Sequence, residues 1–222
     1  MRNKRLAGFV ATMAVCLAGT AVSPGAAFGQ DPILFVHGYL ESSSLWKTMI
    51  SKFEKDGYPK SYLSNYSYNT SQSNVTDAEK EVKVRVESLL KTTGASKVDI
   101  IAHSMGSLNS RWYIKFLGGE ATVDDWVSLG GPNHGTDTAN FCFSASCVEM
   151  RVGSKFLSEL NAEDETPGAV NYGTWWSPCD SIINPDSSVS LAGATNTKTA
   201  CISHTALTTD ATVYTQVREF VK

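Results

Sequence analysis

Three short runs of this chain are apolar with almost no alternation: Ile33-Leu34-Phe35-Val36, residues 98–102 and Trp126-Val127-Ser128-Leu129. A strand with one wet face alternates polar and apolar residues, whereas a strand covered on both faces does not. Runs of this length and β-branched or aromatic content therefore predict strands inside a parallel sheet. Only Asp99 breaks the second run. Helical patterns lie between them. Residues 44–55 read as a helix that stops before Gly57 and Pro59. Residues 76–92 give the clearest helix. Thr76 and Glu79 are spaced as a capping box, Ala78, Val82, Val86, Leu89 and Leu90 share one face, and Gly94 stands where a C-terminal cap belongs. Residues 105–117 and 209–221 predict two more helices, and 61–68, 172–176 and 188–194 predict further strands. The pattern is weak over 133–171, with one helix expected near 151–160. Strands alternating with helices predict an α/β fold, a mostly parallel sheet with helices on both faces.

The first residues belong to a different kind of segment. Arg2, Lys4 and Arg5 precede an uncharged stretch over residues 6–22, followed by Ala27-Phe28-Gly29. That order predicts a secretory signal peptide over 1–29, cut before Gln30, and hence an extracellular protein. At about 17 residues the apolar stretch is short for a bilayer span, and no later run is long enough for one. Residues 30–222 suit a single catalytic domain with a sizeable core. Losing the three basic residues takes the net charge from −3 to −6, which gives no attraction to nucleic acid. Cys142, Cys147, Cys179 and Cys201 remain, an even count that predicts two disulfides outside the cell. Three pairings are possible; joining sequence neighbours favours Cys142–Cys147 and Cys179–Cys201. No C-x-x-C pair, G-x-x-x-x-G-K or G-x-G-x-x-G is present, so neither a metal nor a nucleotide cofactor is expected.

The chemistry centres on Ala102-His103-Ser104-Met105-Gly106, which follows one predicted strand and opens a helix. A chain that turns sharply there lifts the serine hydroxyl above the sheet and tolerates only small residues two positions to either side. The helix beyond it aims free N–H groups and the positive end of its dipole at the same place.

With Phe35-Val36-His37-Gly38, Gly130-Gly131-Pro132-Asn133-His134-Gly135-Thr136, Asp180-Ser181-Ile182-Ile183 and Ser203-His204, this elbow resembles the class 2 bacterial triacylglycerol lipases, small secreted α/β-hydrolases. The resemblance implies a Ser-acid-His ester hydrolase that acts on lipid or ester substrates at an oil–water interface, as a monomer. Alternatives sharing that chemistry are a short-chain carboxylesterase, a cutinase-like enzyme and an acyltransferase; an inactive lipid-binding hydrolase fold is the alternative from another class.

A serine hydroxyl needs a base within reach. Of four histidines, His37 is expected to brace a loop, His103 to point away from the hydroxyl, and His134 to be structural. His204, between the last predicted strand and the closing helix, is left as the base. Its acid should lie between Ser104 and His204 in sequence. Asp180 follows the 172–176 stretch, while Asp186, after Pro185, reads as a turn residue. A Cys179–Cys201 bridge would staple the acid loop to the base loop, stabilising by about 3 kcal/mol on loop-closure grounds. The resemblance places oxyanion donors at the backbone N–H groups of Tyr39 and Met105. Tyr39, Leu40, Met105, Phe141, Phe143, Trp175 and Trp176 are candidates for an acyl cleft, and 138–171 for a small cap bearing the Cys142–Cys147 loop.

Overall fold

The computed structural model describes Met1 and residues 30–221. The expected signal peptide falls outside the described residues. Six strands form one parallel sheet: β1 (Ile33–Val36), β2 (Leu63–Asn65), β3 (Val98–His103), β4 (Val123–Leu129), β5 (Asn171–Trp176) and β6 (Thr195–Lys198), in the order β2-β1-β3-β4-β5-β6. The apolar runs are the central strands, and their lack of alternation has a direct cause. Leu34 and Val36 pack on one side of the sheet, with Ile100 and Ala102; Ile33 and Phe35 pack on the other, with Ile101 and Val127.

The first face is covered by α2 (Asn74–Asp77), α3 (Lys83–Thr93), α4 (Gly106–Phe116), α5 (Ala145–Met150) and α6 (Lys155–Leu160). The second is covered by α1 (Lys47–Lys55) and α7 (Ala211–Phe220), which bury Met49, Phe53, Val213 and Val217. Burying side chains of this size contributes about 1.5–3 kcal/mol each. Among the described residues no helix is long and apolar enough to cross a membrane.

Several expectations shift. The long helix begins at Asn74, not Thr76. Ser73 Oγ accepts the Thr76 N–H at 3.1 Å, so Ser73 is the cap and Thr76 lies inside the first turn. A π-helical turn, Ala78–Val82, links α2 to α3, and Gly94 ends α3 in the left-handed conformation. The helix expected near 151–160 is α6, which starts only at Lys155 because Arg151 is extended and Ser154 caps it by accepting the Leu157 N–H; α5 is an additional helix that ends just before that range. The strand expected over 188–194 is instead a 3-10 turn, Asp186–Val189, and a loop. β6 is the polar segment that follows, while Val189 and Leu191 still bury their side chains. Of the alternating stretch 61–68, only Leu63–Asn65 pairs.

The strand order places the site. β1 is followed in sequence by β2 on one side and lies beside β3 on the other, so the chain leaves the carboxyl ends of β1 and β3 in opposite directions. A crevice opens at such a switch point. His37-Gly38-Tyr39 leaves β1 there, and Ser104 leaves β3.

Candidate active site

Ser104 turns the chain from β3 into α4 with φ +54, a conformation in which a non-glycine residue is strained. A methyl group on Gly106 would come within 2.5 Å of the Val36 carbonyl oxygen and 2.7 Å of that of His37. The elbow therefore requires no side chain at 106, because α4 starts directly against β1. Ala102 is fully buried and accommodated.

Asp180 and His204, 24 residues apart, are brought together. His204 Nδ1 donates to Asp180 Oδ2 at 2.6 Å, and the Asp180 side chain is 2% exposed. The other carboxylate oxygen, Oδ1, accepts the N–H groups of Ile182 and Ile183 at 2.9 and 3.1 Å. Each oxygen thus has its own task, one fixing the carboxylate to its loop and one fixing the imidazole. Asp186 instead opens the 3-10 turn.

Ser104 and His204 line one largely apolar cavity of about 410 Å³, with Tyr39, Phe141, Met150 and Ile183 among its other walls. No direct hydrogen bond joins the two in this structure, an arrangement common before substrate enters such sites. Among the described residues, neither the Tyr39 nor the Met105 N–H donates to a protein acceptor. Leu40, one residue on, has φ +57 and donates its N–H to Thr70 Oγ1 at 3.1 Å.

Both disulfides pair sequence neighbours, Cys142–Cys147 and Cys179–Cys201. The second joins the loops that carry Asp180 and His204. Ser177 ties the same loops again, since its Oγ donates to the Ile202 carbonyl at 2.6 Å and accepts the Ile202 N–H at 3.0 Å. Replacing both Cys179 and Cys201 by alanine is expected to lower Tm by roughly 6–12 °C, from a loop-closure term of about 3 kcal/mol. Well below that Tm, kcat on a soluble ester should still fall several-fold. An unchanged kcat would show that Ser177 alone positions the loops.

The profile of the family described as Lipase (class 2) matches residues 30–219. The chain belongs to the class 2 lipase family. A triacylglycerol lipase of Burkholderia plantarii is 29% identical over 136 residues, 59% of this chain and 37% of that protein. A triacylglycerol lipase of Pseudarthrobacter phenanthrenivorans is 28% identical over 116 residues, 50% of this chain and 35% of that protein. The chain thus spans little more than a third of the length of these curated relatives. Among solved structures, the mature form of Bacillus licheniformis lipase BlEst2 superposes with a TM-score of 0.75 at 17% identity, covering 87% of this chain and 93% of that one. The fold of this class 2 lipase is accordingly the α/β-hydrolase fold.

Electrostatics set the resting state of the pair. Burial lowers the pKa of His204 and outweighs the raising effect of its hydrogen bond to Asp180; the ring is held neutral below the usual imidazole range. Burial raises Asp180, but the hydrogen bond and charge of His204 and the two backbone N–H groups outweigh it, so the carboxyl is held below its ordinary value. A neutral imidazole beside an ionised carboxylate is the state a general base requires.

The remaining histidines divide. His37 is buried, stacks on Tyr68 with ring centroids 4.3 Å apart and donates to its neighbour's carbonyl, that of Gly38, at 2.9 Å, bracing the loop as expected. His134 binds Glu165 at 2.7 Å. Trp175 and Trp176 do not line the cavity. Trp175 packs against Phe220 and donates to Gln216, and Trp176 lies under Lys198. Met105 is buried, and Leu40 and Phe143 are mostly exposed. The sequence reading missed Glu41, which lines the cavity and contacts His103. A Glu four residues after His37 carries no motif, and 62 residues separate it from the histidine it meets.

Proposed function

We propose that this protein is a secreted carboxylic ester hydrolase whose substrates are triacylglycerols, with Ser104 as nucleophile, His204 as base and Asp180 as the acid that orients it. The observation that carries the reading is the Asp180–His204 hydrogen bond on the wall of an apolar cavity that also holds Ser104 on a left-handed turn. Ser104 Oγ attacks the ester carbonyl carbon while His204 Nε2 takes the hydroxyl proton. The N–H groups of Tyr39 and Met105 hold the resulting oxyanion. The C–O bond to glycerol breaks, the leaving alkoxide takes the proton from His204, and an acyl-enzyme on Ser104 remains. Water, deprotonated by His204, repeats the sequence, releases the fatty acid and restores Ser104.

Three further features support a lipid substrate. Leu40, Phe141 and Phe143 are 77%, 86% and 84% exposed. Phe141 lines the cavity and Phe143 stands two residues on, across Cys142 of the small disulfide loop. The segment 138–171 thus acts as a small cap on a single catalytic domain, with its aromatic tip meeting the oil–water interface. The test is hydrolysis of triacylglycerols of graded chain length, alongside labelling by a fluorophosphonate. Labelling with rates that rise when emulsified substrate forms is expected. Activity confined to short soluble esters would point to a carboxylesterase, and no labelling to a silent binding protein.

A further inference from the structure

Beside the Asp180–His204 pair the structure holds a second acid–imidazole pair with an unusual proton inventory. His103 is fully buried. Its Nε2 faces the backbone carbonyl oxygen of His204 at 3.1 Å, and its Nδ1 faces Glu41 Oε2 at 2.9 Å. A carbonyl only accepts, an ionised carboxylate only accepts, and a neutral imidazole has one N–H. The two contacts together therefore need one proton more than a neutral ring and a carboxylate possess. With that proton the pair is electrically neutral. Glu41 Oε2 also accepts the Gly38 N–H at 2.7 Å. The chain of contacts thus runs from the backbone of His204, through His103 and Glu41, to the residue preceding Tyr39.

The pair stands at the reacting atoms. A methyl group on Gly38 would lie 2.8 Å from Glu41 Oε2 and 3.1 Å from Ser104 Oγ, so both groups border one atom-sized gap. The rings of His103 and His204 have centroids 4.5 Å apart.

We propose that Glu41 and His103 are positioning residues that share one extra proton, lock the base loop at His204 to the oxyanion loop at Gly38, and keep the Glu41 carboxylate from opposing negative charge at Ser104. The proposal rests on the reading of the site as an ester hydrolase. Burial pushes the Glu41 carboxyl up, but the hydrogen bond and charge of His103 and the Gly38 N–H outweigh it and hold it below its ordinary value, so the oxygen that faces His103 stays an acceptor.

The charge argument makes an asymmetric prediction. His103→Gln leaves a carboxylate without its compensating proton next to the developing oxyanion. Adding Glu41→Gln removes that charge and lets two amides face each other. His103→Gln should therefore lower kcat on p-nitrophenyl butyrate by about 100-fold, the scale of losing an electrostatic contribution at such a site, with KM changed by no more than about twofold. Adding Glu41→Gln should recover about tenfold of that loss. A residue that only fills space predicts the reverse, a double variant at least as slow as His103→Gln, and that result would overturn the proposal. A second readout needs no activity. In histidine-15N-labelled wild-type protein both ring nitrogens of His103 should carry an N–H resonance, and one of the two should be lost in Glu41→Gln, at unchanged Tm. A single N–H in the wild type, or both persisting in the variant, sinks the pair whatever the kinetics. An inactive wild type that shows both resonances, and the loss of one in Glu41→Gln, leaves the pair standing and defeats the esterase reading instead.

Discussion

Ser104→Ala is expected to lower kcat/KM for ester hydrolysis by about 10⁶-fold and to abolish fluorophosphonate labelling, with Tm changed by less than about 2 °C. The size of the effect follows from covalent chemistry. Without the hydroxyl there is no acyl-enzyme, and only the oxyanion donors and substrate binding remain to act on direct attack by water. The small cost in stability follows from the structure. Ser104 Oγ makes no hydrogen bond with a described residue, so no buried partner is left unpaired by its loss. Alanine also occupies φ +54 with the same strain as serine, since the penalty lies in Cβ, which both possess. A variant that folds with the wild-type Tm and keeps more than about a tenth of the wild-type rate would remove Ser104 from the mechanism. The two readings separate cleanly because fold and reactivity do not share the hydroxyl.

The same division between local and long-range causes explains what the amino-acid sequence discloses. The buried strands were legible because burial on two faces leaves no polar positions, as in Ile33–Val36, where all four residues are buried. The elbow was legible because steric demands act over five adjacent residues. β6 was not, because an edge strand needs no apolar run. Thr195–Lys198 pairs through its backbone and is mostly exposed, while the apolar residues at 189 and 191 are buried from non-strand backbone. Thr76 has the residue type of a cap, but Ser73, a hydroxyl residue three positions earlier, holds that place, and local spacing does not distinguish the two. Trp175 has the chemistry of a cleft residue, yet strand alternation turns it toward α7. Glu41 lay furthest out of reach: its contacts with His103 and Gly38 arise where the ends of β1 and β3 converge, and no spacing rule connects those residues.

Asp180→Asn separates orientation from proton transfer. The asparagine fits the same space, and its carbonyl oxygen can still accept from Ile182 and Ile183. Its amide would then face His204 Nδ1 as a donor, which forces the ring proton onto Nε2, the atom proposed to take the Ser104 proton. The expected loss is about 10⁴-fold in kcat, the consequence of a wrong tautomer plus a missing counter-charge for the imidazolium. The pH profile gives a second and independent sign. Burial already holds the His204 pKa below the usual imidazole value, and the hydrogen bond and charge of Asp180 oppose that lowering. Removing the charge removes the opposition, so the acid limb of kcat/KM should move to lower pH even as the plateau falls. A residue that merely supported the loop would reduce activity without moving the limb. A limb that moves to higher pH, or a variant with wild-type kcat, would show that another group orients His204. Tm should fall as well, because the buried charge-assisted hydrogen bond between the two loops is replaced by a mismatched contact, at a cost of about 1–3 kcal/mol.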